Sequence, residues 1–281
     1  MIGQRGGMNQ TFNGAIANVA YYNSALSAAT VLSQYQAGTT GAGSVINLSI
    51  TGSTINTSGA SINTSGTQTY SGAVVIGTAL TATTSNNKVE FNSTVNSTDS
   101  NARGLTVTTG SGNVTFTGAV GGATNGALGA LAINSTGTTT FSAAVTAASV
   151  TTNAGGTTVM NGGSINTTGG QTYNDAVTLG ATTTLTSSAS GAINLASTIN
   201  GAYGLTVNTS GTTTFGGIVG GTTNLTSITT DAGGSTVING GSITTSSYQT
   251  YNDAVTIGAA TTLSASAITT GSTLAASGNN L

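Results

Sequence analysis

Gln171-Thr172-Tyr173-Asn174-Asp175-Ala176-Val177 recurs as Gln249 to Val255, inside a longer duplication in which Ser149 to Leu185 returns as Ser227 to Leu263. The alignment of the two copies needs no gap, and 27 of the 37 paired positions are identical. A worn copy, Gln68-Thr69-Tyr70-Ser71-Gly72-Ala73-Val74, lies upstream. A fixed period has to be settled before any other reading, because repeat architectures misread as ordinary domains.

The duplicated unit has a finer beat, carried by Ile165, Leu185, Leu205, Leu225, Ile243 and Leu263. These aliphatic residues recur about every 20 residues, a step too short for a propeller blade or a helix pair but suited to one turn of a β-solenoid. A second motif recurs with them: Leu105-Thr-Val through Phe116, Leu131-Ala-Ile through Phe141, and Leu205-Thr-Val through Phe215. The sequence therefore predicts an all-β chain, a parallel β-helix (β-solenoid) with rungs of about 20 residues. The six aliphatic residues named above are expected to form one inward column, with Leu185, Leu205 and Leu225 stacked on each other. Residues 44–281 would then make about twelve coils, a rod of roughly 55 to 60 Å.

Composition supports strands and turns. Only eight of 281 residues are charged, no proline is present and Gly accounts for 43. Thr, Ser, Ala, Asn and Gly surround single Val, Ile and Leu positions, a mixture in which β-branched residues suit the pleat and Gly and Asn supply corners. Disorder by self-repulsion needs high net charge and is excluded. Three basic residues against five acids argue against nucleic acid as a partner, since that binding rests on many phosphate contacts. No run approaches a membrane-spanning length, and Met1 to Arg5 opens no secretory h-region; for a secreted protein the export signal is therefore expected outside this chain.

Residues 1–38 do not share the repeat. Phe12 to Tyr22 reads as one strand, and a short helix follows with Ser27 as its cap and Gly38 at its end. Gly14, Ile16, Val19, Tyr22, Asn23, Ala25, Leu26, Ser27 and Val31 match the closing phrase of the LamG-like jelly-roll (concanavalin A-like) family, which this segment resembles. Ala17 stands where that family has Asp. The resemblance implies a strand-helix remnant of a two-sheet sandwich, and a carbohydrate-binding role is what it would bring. Ala37 to Gly43 reads as flexible, and residues 39–43 are taken as the linker between the remnant at 1–38 and the repeats at 44–281.

The repeated part, residues 44–281, resembles the β-strand repeats of giant bacterial surface adhesins of the filamentous-haemagglutinin kind. Thr229 to Ser242 and Gln249 to Gly258 carry the likeness. It implies an extracellular location on a bacterial surface, neighbouring repeats of the same parent chain as partners, and attachment to host or abiotic surfaces or glycans. The ends around Gly43 and Ala275 to Leu281 show no polar or helical cap, so the chain reads as part of something longer.

A catalytic reading lacks its groups. With no His, a Ser-His-Asp triad cannot form, and with no Cys or His the usual zinc sets are missing; no cofactor is expected. Asp175 and Asp253 would sit four rungs apart, about 19 Å, too far for a glycosidase carboxyl pair. Asp231 and Asp253, one rung apart, could approach each other, but Asn153 stands for Asp231 in the earlier unit. Turn capping, with carboxylates accepting backbone N–H groups, is the reading preferred here. Gly233-Gly234 and Gly240-Gly241 lack the Asp of calcium nonapeptides. An ice-binding threonine array fails because Gly191-Ala192-Ile193-Asn194 should lie below Thr212-Thr213-Thr214. What remains is Lys88, Glu90, Asp99 and Arg103, half of all the charges, gathered in one short window. These four are the candidate recognition loop, weighed against a solvated loop with weak ion pairs.

Overall fold

The computed structural model describes residues 46–281; the expected strand, helix and linker of residues 1–43 lie outside them. Among the described residues there is no helix. Thirty short strands run from β1 (Leu48–Ile50) to β30 (Leu274–Ala275), and every pairing between them is parallel.

The registers resolve into three ladders, one strand of each per turn. The first passes through Leu48, Gln68, Val89, Val114, Thr139, Thr158, Val177, Ile199, Val219, Ile243 and Leu263. The second contains Ile55, Val74, Val95, Val120, Val145, Ile165, Leu185, Val207, Thr230 and Tyr251. The third contains Ile62, Ala82, Val107, Ile133, Thr152, Tyr173, Leu195, Phe215, Ile238 and Ile257. The eleven positions of the first ladder define about eleven turns, roughly 50 Å of rod at the spacing of neighbouring strands. The β-solenoid is thus the fold, one turn shorter than expected. Its turns are unequal: the one from Thr138 to Thr157 is short, and the one from Val107 to Ile133 is much longer.

Burial alternates along each strand, as it must when one face of a pleat looks into the rod and the other into water. In Thr138–Phe141, Thr139 and Phe141 point in while Thr138 and Thr140 point out. Each strand commonly sends two side chains inward, more than the single aliphatic per side that sequence suggested, and the inward set includes rings, Thr and Gln. Tyr70, Phe91, Phe116 and Phe141 share one file of the first ladder, with ring centroids 4.9, 5.0 and 5.3 Å apart and planes within 13°. Such stacks add about 0.5–1.5 kcal/mol per pair beyond area burial.

The expected leucine column is not there. Ile165 does stack on Leu185, and Ile243 on Leu263, but the next turn places Val207 over Leu185. Leu205 instead meets Thr183 and Ile228, and Leu225 meets Thr245. Leu185, Leu205 and Leu225 therefore occupy separate places, although the rod itself is intact. The cause is that the sequence repeat is not a whole number of turns. Thr152 lies on the third ladder and its repeat equivalent Thr230 on the second. Eleven strand positions separate them, three turns and two thirds. The unit therefore returns displaced by one side of the rod. The Leu-Thr-Val motif behaves alike: Leu105 pairs with Leu131 and Phe116 with Phe141, yet Val207 sits on the second ladder and Phe215 on the third.

The three sides are chemically interchangeable, as the Gln-x-Tyr corner demonstrates. Gln68 is on the first ladder, Gln171 on the third and Gln249 on the second. In all three the Tyr hydroxyl two residues on donates to the Gln Oε1, at 2.8, 2.9 and 3.0 Å. Each Gln Nε2 donates to the carbonyl six residues back, of Ile62, Ile165 or Ile243, at 3.0, 3.1 and 3.0 Å. Each also donates to the carbonyl fifteen residues ahead, in the next turn, at 2.8, 2.9 and 3.0 Å. A fully buried amide is tolerated because both its Oε1 and its Nε2 find partners there; its Nε2 adds a second hydrogen bond to carbonyls such as those of Thr83 and Ser264, which already accept the Thr64 and Thr245 N–H groups.

Two outcomes are expected. Gln171→Leu leaves the buried Tyr173 hydroxyl without its acceptor and removes the second hydrogen bonds of the Ile165 and Thr186 carbonyls, and should lower stability by about 1–3 kcal/mol in urea titration, with Tyr173→Phe added to it costing little more. Deleting residues 150–227 joins equivalent points of the unit, and the product should fold with the remaining copy moved to the third ladder. An Ala132→Cys/Thr229→Cys pair should then form a disulfide in the deletion variant and not in the full chain, where Ala132 faces Thr151.

Candidate functional site

The four charged candidates do not converge. Glu90 is the outward residue of β7 (Val89–Phe91) on the first ladder, where Lys88 Nζ reaches its Oε1 at 2.8 Å and Thr69 Oγ1 donates to its Oε2 at 3.4 Å. Asp99 and Arg103 belong to the turn that carries the chain from β8 (Val95–Ser97) on the second ladder to β9 (Leu105–Gly110) on the third. Their ion pair is long, 3.6 Å. The backbone N–H of Asn101 at 2.9 Å, then its side-chain amide and Arg103, hold the Asp99 carboxyl below its usual range. The window thus supplies two separate ion pairs, on a side and on a turn, rather than one patch. Solvent screening leaves exposed pairs of this kind little to contribute to stability.

The acids of the repeat are corner pieces. Asp175 Oδ1 accepts the Gly156 N–H at 2.9 Å and its Oδ2 accepts the Thr158 hydroxyl at 3.2 Å. Asp253 repeats this with Gly234 and Thr236, at 3.0 and 3.2 Å. The preceding Ala-Gly-Gly turns are built for it: Gly155 and Gly233 take positive φ, 104° and 115°. At Gly156 a Cβ would come within 2.4 Å of the Gly137 carbonyl oxygen, so the second glycine is required by space. Asp231 Oδ1 accepts the Thr209 N–H at 2.9 Å, as Asn153 Oδ1 accepts that of Ser135 at 2.7 Å. Turn capping is therefore what these side chains do. Asp175 and Asp253 stand eleven strand positions apart on different corners, not four whole rungs on one, and are no catalytic pair.

Burial raises the carboxyls of both Asp175 and Asp253 above the usual range, outweighing the N–H and hydroxyl donors that lower them. Asp231 adds repulsion at Asp253. The buried hydroxyls of Thr152 and Thr230 complete the two corners and pull in the lowering direction, although neither closes to full hydrogen-bond distance. Burial also pushes the Tyr173 and Tyr251 phenols far upward, so they remain donors to their glutamines.

Among the described residues no three His, Cys, Asp or Glu side chains gather as metal ligands, and no helix is long and apolar enough to cross a membrane. The threonine run Thr212 to Thr214 faces Ile193 and Asn194 on the turn before, so the hydroxyl array breaks where sequence placed the break. Asparagines stitch turn to turn: Asn47, Asn113 and Asn200 accept N–H groups of Thr67, Thr138 and Thr222 at 2.8, 2.9 and 2.9 Å. Sequence reasoning also passed over Tyr203 and Tyr248, the two exposed tyrosines of the described region. No protein-family model matches the chain, nor does any curated protein or solved structure.

The acid corners carry a pH expectation. A carboxyl raised in the folded state stabilises it fully below the unfolded value of about 3.8 and loses that contribution as pH rises through the folded value. The melting temperature should therefore climb as pH is lowered from 7 toward 4. Asp175→Asn/Asp253→Asn should flatten the climb, as read by circular dichroism melts at half-unit pH steps.

Proposed function

We propose that this chain is a non-enzymatic structural repeat, an adhesive stalk segment of a large bacterial surface protein that holds binding elements away from the cell. The observation that carries the reading is the continuous rod. Its strands hydrogen-bond turn upon turn, its aspartates are committed to corners, and its outer faces present hydroxyl and amide groups with two isolated ion pairs. Such a wall resists bending because each turn is joined to the next by three strand pairings, and a solenoid adds reach in proportion to its repeats. The resemblance of the repeat to surface-adhesin stretches supports an extracellular setting, and attachment to host or abiotic surfaces or glycans is the matching role.

Beads coated with the purified chain should be retained on polystyrene, glass or epithelial monolayers several-fold more than albumin-coated beads under the same shear. Equal retention discards the adhesive role. In small-angle scattering the chain should give an elongated particle, and removal of residues 150–227 should shorten it by about 18 Å, three and two-thirds turns.

A further inference from the structure

Tyr203 and Tyr248 are 42% and 47% exposed, on a wall whose other tyrosines (70, 173 and 251) are fully buried. Although far apart in sequence, they come to the same edge of the rod. Gly204 pairs with Ser227, and Ile228 with Gln249, which puts Ser227 beside Tyr248. Thr226 N–H donates to the Tyr203 carbonyl at 2.9 Å, and Ser247 N–H to that of Thr226 at 2.9 Å. Tyr203 therefore immediately precedes the second-ladder strand Gly204–Thr209 of one turn, and Tyr248 begins the strand Tyr248–Tyr251 two turns later. The two residues are offset by about 9–10 Å along the axis and by a single residue across it. Between them lies the intervening turn with the half-buried Ser227 and the exposed Thr226, whose hydroxyl donates to the Ala202 carbonyl at 3.0 Å and faces a ligand as an acceptor.

We propose that this edge binds a neutral polysaccharide chain lying along the rod axis, with the two tyrosine rings as stacking platforms and the hydroxyls between them as hydrogen-bonding partners. A tyrosine ring offers an apolar face with a polar tip at small cost in rotamer entropy, which suits the faces and equatorial hydroxyls of sugars. Electrostatics selects the neutral class. The cations among the described residues, Lys88 and Arg103, lie several turns from this edge and are already paired with acids. The carboxylates at the far ends of the same strands, Asp231 and Asp253, are spent on backbone N–H groups. An acidic or basic polymer finds no counter-charge here, while Ser and Thr both donate and accept. This rests on the adhesive reading and gives it a ligand class and a place on the rod, which a bare spacer would not need.

Pull-down of the full chain on insoluble cellulose, chitin and β-1,3-glucan, with cross-linked polygalacturonate as the acidic comparison, tests it. The wild type should be retained on at least one neutral polymer and not preferentially on the acidic one. Tyr203→Ala/Tyr248→Ala should weaken that retention at least tenfold with an unchanged melting temperature, and Tyr203→Phe/Tyr248→Phe should keep most of it. No retention on any of the three neutral polymers, stronger retention on polygalacturonate, or equal retention of the double alanine variant overturns the proposal. None of these results touches the stalk reading, which stands or falls on bead attachment and rod length.

Discussion

Every feature of this rod follows from one requirement, that each turn lay its strands on those of the turn before, in parallel and without losing the in-out alternation. A side chain pointing in must have an inward neighbour above and below at strand spacing, whatever the length of chain in the turn between. That is why insertions gather at corners: the path from Val107 to Ile133 is long and that from Ile133 to Thr152 short, yet the three residues share a ladder. The same requirement explains the files of like side chains. Flat rings on Phe91, Phe116 and Phe141 are each stacked on the next because the ladder leaves them no other separation.

Much of this was legible in the residues, for a physical reason. Strand alternation and corner chemistry are local, so the period, the parallel solenoid and the capping role of Asp175 and Asp253 could be read directly. The register could not, because the expectation of equal turns treated the duplicated unit as four rungs. It duplicates strands and corners, not turns. Local chemistry cannot distinguish the sides, since Gln68, Gln171 and Gln249 make the same three hydrogen bonds on three different ladders. The better clue was the wide, even spacing of Phe91, Phe116 and Phe141, which marks the long turns.

The four charged candidates separate for a related reason. Proximity in sequence means little in a solenoid, where the stretch from Lys88 to Arg103 is enough to leave one side, cross a second and enter the turn to a third. Lys88 and Glu90 therefore end on a flat side, and Asp99 and Arg103 on a corner. The converse holds for residues a turn or two apart, which meet through the ladder. Burial does the rest: carboxylates inside a wall of hydroxyls have no cation to answer them, so their neighbours are N–H and O–H donors, and their proton affinity rises instead.

A duplication that returns one side late also bears on what a shared edge means. Repeat-equivalent residues fall on different sides, as Thr152 and Thr230 do, so copying alone spreads a surface feature around the rod instead of along it. Tyr203 and Tyr248 break that rule. The repeat partner of Tyr248 is Gly170, and Tyr203 lies in the segment between the two copies. Two exposed rings on one edge, two turns apart, are thus not a by-product of duplication. Large exposed rings do nothing for a thin core whose inward files are already filled. Exposed tyrosines two turns apart and one register position offset are what the proposed ligand, extended along the axis, would use.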